Sequence, residues 1–292
     1  MITVIGSINM DLTVGTEVFP KKGETMLGSF FEMNPGGKGA NQAVAISRLG
    51  GDISFVGRVG RDPFGEYLFK QLVQENVNVK GLQHGNVSTG IANIILHEKD
   101  NRIIVVPGAN SEVTKEVIDE HWEHINNSNL VVMQLEIPAE TVEYVLEKCK
   151  QKSIQVILNP APASLFRLEW MELVDYLTPN EHELETIFGD KVEDVIEQFP
   201  NKVIVTLGEN GVCYHNGKKL IKVPGYKSEV TDTTGAGDTF NGAFAYAISN
   251  DFSLEEALTF ANATASLSVE KIGAQGGMPT LAQVKERMEK IK

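Results

Sequence analysis

Residues 130–158 read LVVMQLEIPAETVEYVLEKCKQKSIQVIL. The run at 130–134 is short and apolar, as a buried strand is; 138–151 carries a helical pattern; 154–158 is again a strand. One strand–helix–strand unit of this kind sets the pattern for its surroundings. Strands are expected also at 174–177 and 203–207, and helices at 114–125 and 180–187. Strict alternation implies a mostly parallel sheet with helices on both faces. Towards the C-terminus, 211–215 and 218–223 turn through Asn216-Gly217. Three helices then follow, one from near Ala236, one after the capping pattern Ser253-x-x-Glu256 and one after Thr280-x-x-Gln283. Towards the N-terminus, Ile2–Ile5 and Ile53–Val59 are strands. Gly36-Gly37-Lys38-Gly39 opens an Ala-rich helix, and Asp62-Pro63 caps another that runs to about Glu75.

Two patches break the alternation. Residues 12–35 and 90–107 are β-like and contain no helical period; in the second, Glu98-Lys99-Asp100-Asn101 reads as a hairpin turn. They are expected to form one small sheet built from two insertions. The α/β body then comprises 1–11, 36–89 and 108–292.

The chain has 292 residues, long enough for a large core without disulfides or a structural metal. With 26 Lys and Arg against 39 Asp and Glu, its net charge is −13. That excludes the basic stripe of a nucleic-acid surface. It leaves room for a phosphorylated ligand, which backbone N–H groups bind without basic residues. Cys149 and Cys213 form no spacing pattern, so a reduced, cytoplasmic compartment is expected. No apolar run is long enough for a membrane span, and Met1–Gly6 reads directly as a strand, so neither a membrane segment nor a signal peptide is expected. His121 and His124 have no third ligand nearby in sequence, and no metal is expected there.

Chemistry concentrates at a few places. Asp232-Thr233-Thr234-Gly235-Ala236-Gly237-Asp238-Thr239-Phe240 leads from a strand-like segment into a helix. Its glycines let backbone N–H groups converge at the positive end of the helix dipole, as an anion cradle requires. Asp238 there is either a first-turn residue satisfying those N–H groups or a base beside an anion hole, the layout of phosphoryl transfer to a hydroxyl. The segment is no dinucleotide fingerprint, since Phe240 stands where the third glycine belongs, and the chain has no Walker A loop. Asn34-Pro35-Gly36-Gly37-Lys38-Gly39-Ala40-Asn41-Gln42 is a second glycine-rich helix start, with Lys38 and Asn41 as donors. At the end of the first strand, Asn9 and Asp11 are two apart and face one way if extended, as a pair gripping sugar hydroxyls would; they are equally turn formers. Glu136, Asn180-Glu181-His182-Glu183 and Thr206 to Gly211 each stand at a strand exit, and together they point to one cleft.

These residues resemble the ribokinase-like (PfkB) carbohydrate kinases. Both glycine segments carry the likeness. So do Gly6 to Asp11, Met133 to Glu136, Leu158-Asn159-Pro160-Ala161-Pro162, Thr178-Pro179-Asn180-Glu181 and Gly273-Ala274-Gln275, so it covers essentially the whole chain. The resemblance implies ATP-dependent phosphorylation of D-ribose at O5, with Asp238 as general base and the N–H groups of Gly235, Ala236 and Gly237 as anion hole. It implies that Asn9, Asp11, Gly36, Gly37, Lys38, Gly39, Asn41 and Glu136 hold the sugar. ATP would lie along Thr206, Leu207, Gly208, Glu209, Asn210 and Gly211, near Gly237, Asn180 and Asn262. Glu183 would act through Mg²⁺. A monovalent cation, K⁺, would be held by Asp232, Thr234, Ser268, Lys271, Gly273 and Gly277, several through carbonyls. Gly277 stands where the family often has serine, which removes one side-chain ligand. The small sheet would be a lid that excludes water and pairs with a second lid in a homodimer.

Other readings stand beside this one. Fructose, a deoxyribose or a nucleoside are rival acceptors in the same family. A sugar-binding sensor on the same fold is a non-catalytic alternative, against which the intact Asp238 and its glycines speak.

Overall fold

The computed structural model describes residues 1–97 and 100–290; of the expected turn Glu98-Lys99-Asp100-Asn101, Glu98 and Lys99 lie outside the described residues, and Asp100 and Asn101 begin a strand instead, paired with His97 and Leu96. Six parallel strands form the main sheet, in the order Tyr176–Leu177, Gln155–Leu158, Leu130–Met133, Ile2–Ile5, Ile53–Val59 and Asn78–His84. The first strand lies at its centre, which explains its mostly apolar character: every residue of Ile2–Ile5 is buried. Its side chains alternate between faces. Ile2 and Val4 join the core under the helices Lys38–Arg48, Ala236–Ser249 and Leu254–Ser268. Ile5 joins the opposite core, under Ala139–Lys152, Glu181–Phe188 and Val192–Gln198.

A three-stranded antiparallel sheet (Ile204–Thr206, Val212–His215, Leu220–Val223) continues the main one through parallel bridges Leu177↔Val203 and Asn180↔Thr206. It turns at Asn216-Gly217, where the Asn216 side chain accepts from the N–H groups of Lys218 and Lys219 at 3.0 Å each. The small sheet forms as expected from the two insertions, in the order Phe30–Gly36, Asn9–Gly15, Gly90–His97 and Asp100–Val106. Its outer pairs are antiparallel and its central pair is parallel. It leaves Phe31, Met33, Ile103, Ile104, Val105 and Val106 exposed.

The structure departs from expectation in three places. The helix expected at 114–125 is broken at His121 into Lys115–Glu120 and Trp122–Ile125. The strand Asn78–His84 was not legible in the sequence. It is an edge strand with Lys80 and Gly81 inside it and a register irregularity against Ile53–Val59, so no apolar alternation marks it. Val192–Gln198 is a helix too short to show a period. Both expected capping boxes form: Glu256 Oε2 accepts from the Ser253 N–H at 3.0 Å, and Gln283 Oε1 from the Thr280 N–H at 2.8 Å.

The helices Lys38–Arg48 and Ala236–Ser249 cross at small residues. A Cβ on Gly242 would stand 2.6 Å from Ala45 Cβ and 2.8 Å from the Gln42 carbonyl. This close approach carries Asn41 and Gln42 of one helix to Asp238 of the other. Among the described residues, no helix is long and apolar enough to cross a membrane.

Candidate active site

Asp238 sits in the first turn of Ala236–Ser249 and is buried. Both its oxygens accept amide hydrogens: Oδ2 from Asn41 Nδ2 at 2.9 Å, Oδ1 from Gln42 Nε2 at 3.1 Å. Gly235, the N-cap, has φ +76°, and a Cβ there would meet the Ala274 backbone at 2.7 Å. That glycine is demanded by the fold. Gly237 is different: a Cβ there would have nothing within 4 Å, so its glycine leaves open space before the helix N-terminus. The N–H of Ala236 donates to the Thr233 carbonyl at 3.2 Å, and a bound anion would compete with that carbonyl.

The second glycine segment wedges its helix start against residues 6–9. Gly37 has φ +89°, and a Cβ on it would lie 2.7 Å from Ile8 Cα; one on Gly39 would lie 2.7 Å from the Ser7 nitrogen. A Cβ on Gly36 would strike both Asp11 oxygens at 2.3 Å. The Lys38 N–H donates to Glu136 Oε2 at 3.2 Å, and Ser7 Oγ donates to the same oxygen at 2.5 Å. Asn9 and Asp11 lie on the strand Asn9–Gly15 of the small sheet rather than in a turn. Asn9 Oδ1 accepts from Asn110 Nδ2 at 2.7 Å, and Asn110 also bonds the Ile8 N–H at 2.9 Å and its carbonyl at 3.2 Å.

Charge is concentrated here. Burial, then the neighbouring charges of Glu136 and Asp238, push the Asp11 carboxyl up to about 7, against the pull of Lys38. Burial also raises Asp238; Lys38 and the two amides oppose it, and Glu136 adds to it. Burial alone would lower Lys38, but Asp238, Glu136, Glu183 and Asp11 around it outweigh that and hold its ammonium above the ordinary range. One cation thus serves four carboxylates.

Further along the sheet edge, Asn180 and Glu183 bind each other. Asn180 Oδ1 accepts from the Glu183 N–H at 2.8 Å, and Glu183 Oε2 accepts from the Asn180 N–H at 2.9 Å. This capping box gives both a structural role, and it leaves the other Glu183 oxygen free of the cap. Burial raises Glu183, opposed by the Asn180 N–H and Lys38. The Thr206 N–H donates to the Pro179 carbonyl at 2.9 Å. Gly208 to Asn210 form one exposed 3-10 turn, and Gly211 after it has φ +86° with no room for a Cβ against the Val223 carbonyl at 2.2 Å. Asn262 Nδ2 donates to the carbonyls of Val223 at 3.0 Å and Pro224 at 3.1 Å, which fixes the wall beside that turn. A cavity of about 520 Å³ lies apart from the Asp238 cluster, lined by Leu184, Val192, Leu207, Cys213 and Leu220 among others. Of residues 206–211 it takes only Leu207.

The segment around Asp232 is tied down by hydrogen bonds of its own. Asp232 Oδ1 accepts from the Thr234 N–H at 2.9 Å and Oγ1 at 2.6 Å, and Oδ2 from the Gly273 N–H at 2.8 Å. Burial alone would raise Asp232, yet these bonds win and keep its carboxyl below the usual range. The Ser268 hydroxyl donates to the Ala265 carbonyl at 2.9 Å, and its own carbonyl lies against Gly277, where a Cβ would stand at 1.9 Å. Lys271 is exposed. Among the described residues no group of three His, Cys, Asp or Glu is arranged for a metal ion. The single carboxylate of Asp232 is compatible with a monovalent cation, and the single carboxylate of Glu183 suits Mg²⁺ only through its hydration shell.

Sequence reasoning did not single out Ser7, Gln42, Asn110, Gln134 and Asn159 as site residues, although all but Asn110 fall inside quoted segments. Buried amides and hydroxyls have no period to betray them.

Residues 1–281 match the profile of the pfkB family carbohydrate kinases. A ribokinase of Lactococcus lactis subsp. lactis (strain IL1403) is 46% identical over 292 residues, covering 99% of this chain and 97% of that protein. A ribokinase of Bacillus subtilis (strain 168) is 45% identical over 287 residues, covering 98% of each. The solved structure of Arabidopsis thaliana ribokinase complexed with ribose and ATP superimposes with a TM-score of 0.90 at 34% identity, covering 99% of this chain and 98% of that one.

Proposed function

Because this chain belongs to the pfkB family of carbohydrate kinases, we propose that it transfers the γ-phosphoryl group of ATP to O5 of D-ribose. The observation that carries the reading is Asp238: a buried carboxylate, gripped on both oxygens, at a helix N-terminus that Gly237 leaves open. The sugar's primary hydroxyl gives its proton to Asp238, its oxygen bonds to the γ-phosphorus, and the bond from that phosphorus to the β–γ bridging oxygen breaks, releasing ADP. The base is worth roughly 10²–10⁴-fold, and positioning with charge stabilisation supplies most of the rest.

Asn9, Asp11, Gly36, Gly37, Lys38, Gly39, Asn41 and Glu136 hold the sugar. The N–H groups of Gly235, Ala236 and Gly237 receive the transferred group, with the helix dipole behind them. Thr206 to Gly211, Asn180 and Asn262 bound the nucleotide. Glu183 would hold Mg²⁺ through water, and that ion would supply charge neutralisation at the phosphates; Asp232, Thr234, Ser268, Lys271, Gly273 and Gly277 would hold K⁺, which would supply order in the turn before Gly235.

In this reading residues 12–35 and 90–107 close as a lid on the body and keep water from the phosphoryl group. The exposed apolar side chains of the small sheet are what a second lid would cover in a homodimer. Cys149 and Cys213, both free and buried, suit a reducing cytoplasm.

The test is ATP consumption with Mg²⁺ and ribose, with and without K⁺, beside fructose, 2-deoxyribose and adenosine, with Asp238→Asn as the blank. Ribose-dependent turnover that the blank lacks supports the reading. Preference for another acceptor replaces the substrate and keeps the mechanism. Sugar binding without turnover on any acceptor moves the chain to a sensor.

A further inference from the structure

The Gln42 side chain is fully buried on Lys38–Arg48, and each end of its amide is committed. Nε2 donates to Asp238 Oδ1 at 3.1 Å and to Asn159 Oδ1 at 3.3 Å; Oε1 accepts from Gln134 Nε2 at 2.6 Å. Gln134 and Asn159 stand one residue beyond the strands Leu130–Met133 and Gln155–Leu158, so the relay is anchored at two neighbouring strand exits.

The direction of this relay is chemically determined. An ionised carboxylate only accepts, so Asp238 dictates that the NH₂ end of Gln42 faces it. The Gln42 carbonyl then needs a donor, and Gln134 turns its own NH₂ to meet it. The consequence is visible at the far end. Gln134 Oε1 is buried without a hydrogen-bond partner, packed against Gly6, where a Cβ would lie 2.2 Å away. An orphaned buried oxygen calls for a reason. Here the reason is orientation: turning Gln134 over would satisfy nothing at Gln42 and would set two carbonyls face to face.

We propose that Gln42 is a positioning residue for the general base, locked by Gln134 into the orientation that donates to Asp238. The inference rests on Asp238 being the base. Asn41, which holds the other oxygen, belongs to the proposed sugar site and is itself braced by Gln275 Nε2, which donates to its Oδ1 at 2.9 Å. Gln42 is fully buried and committed at both ends of its amide, and so keeps the carboxylate aimed.

The other charges bearing on Asp238 are Lys38 and Glu136 directly, with Asp11 and Glu183 sharing the same Lys38 ammonium. Lys38 and the amides favour the carboxylate; burial and Glu136 oppose it. Removing the Gln42 donor therefore moves the acid limb of the kcat profile to higher pH.

The experiment is the pH dependence of kcat and of sugar KM for wild type, Gln42→Leu, Gln134→Leu and the double variant, with thermal unfolding as the fold check and Asp238→Asn beside them. Gln42→Leu is expected to raise the acid limb by about one pH unit, about tenfold in kcat below it, with sugar KM held within about twofold. Gln134→Leu, which does not touch Asp238, is expected to raise it by less, and the double variant by no more than Gln42→Leu alone, because the two act through one bond. If Gln42→Leu does not fold, Gln134→Leu carries the test. A limb that stays in place while kcat falls evenly at every pH overturns the proposal and leaves Gln42 as packing. Turnover surviving in Asp238→Asn overturns the base assignment instead, a distinct result.

Discussion

Gly237→Ala should separate stability from catalysis. Gly237 is the second residue of Ala236–Ser249, and a Cβ on it meets nothing within 4 Å. Alanine there clashes with nothing and loses less backbone entropy on folding, which gives about 0.5–1 kcal/mol of stabilisation. For a chain of this size that is a rise in Tm of about 1–3 °C. The methyl group, however, projects into the space where the transferred phosphoryl group would meet the helix N-terminus. A displacement of about 1 Å there, or one lost N–H contact, costs about 10²–10³-fold in kcat. A coupled ATP assay and a thermal melt on one preparation read both numbers. Gly235→Ala is the contrast: its φ of +76° and the 2.7 Å approach to Ala274 make it destabilising as well as inactive. A Gly237→Ala protein that melts below wild type, or that keeps kcat within about threefold, refutes the reasoning.

Three further outcomes follow from the same geometry. Lys38→Met removes the cation that draws down both Asp238 and Asp11, so the acid limb of kcat should move upward and high pH should restore part of the loss, read from a pH–rate profile. Asp11 has a folded-state value of about 7 against 3.8 in the unfolded chain, so its contribution to stability is full below pH 4 and is lost as pH rises to about 7; denaturant titrations should find Asp11→Asn more stable than wild type at pH 8 and equal to it near pH 4. Gly277→Ser forces a Cβ onto the Ser268 carbonyl, where it would stand at 1.9 Å, and should lower Tm without strengthening the response to K⁺, measured by titrating the salt against turnover.

The parts of the fold legible in the sequence are those with an uninterrupted signal. Ile2–Ile5 and Leu130–Met133 are buried on both faces and so are apolar but for Thr3, whose hydroxyl bonds Ser128 Oγ at 2.7 Å. Asn78–His84, at the sheet edge, is not, and escaped notice for that reason. Gly36, Gly37, Gly39 and Gly235 announced the two helix starts because close approach needs them locally. The polar network did not announce itself. Gln42, Gln134 and Asn159 are brought together by helix crossing and strand adjacency, with 117 positions between Gln42 and Asn159. Asn180 and Glu183 illustrate the reverse: their spacing is that of a cap, and the structure shows them capping each other first.

Asn9 and Asp11 begin the same strand that continues to Gly15 as one of the two central strands of the small sheet. In the proposed site, part of the acceptor contact (Asn9 and Asp11) and the cover are therefore one piece of backbone, while the strip at 206–211 proposed for the nucleotide belongs to a different part of the chain. In a chimera that exchanges residues 9–36 and 90–107 between two such kinases, choice of acceptor should travel with the exchanged segments and choice of donor should stay behind. Breeding a new substrate preference into this scaffold is then a problem of about one-sixth of its length.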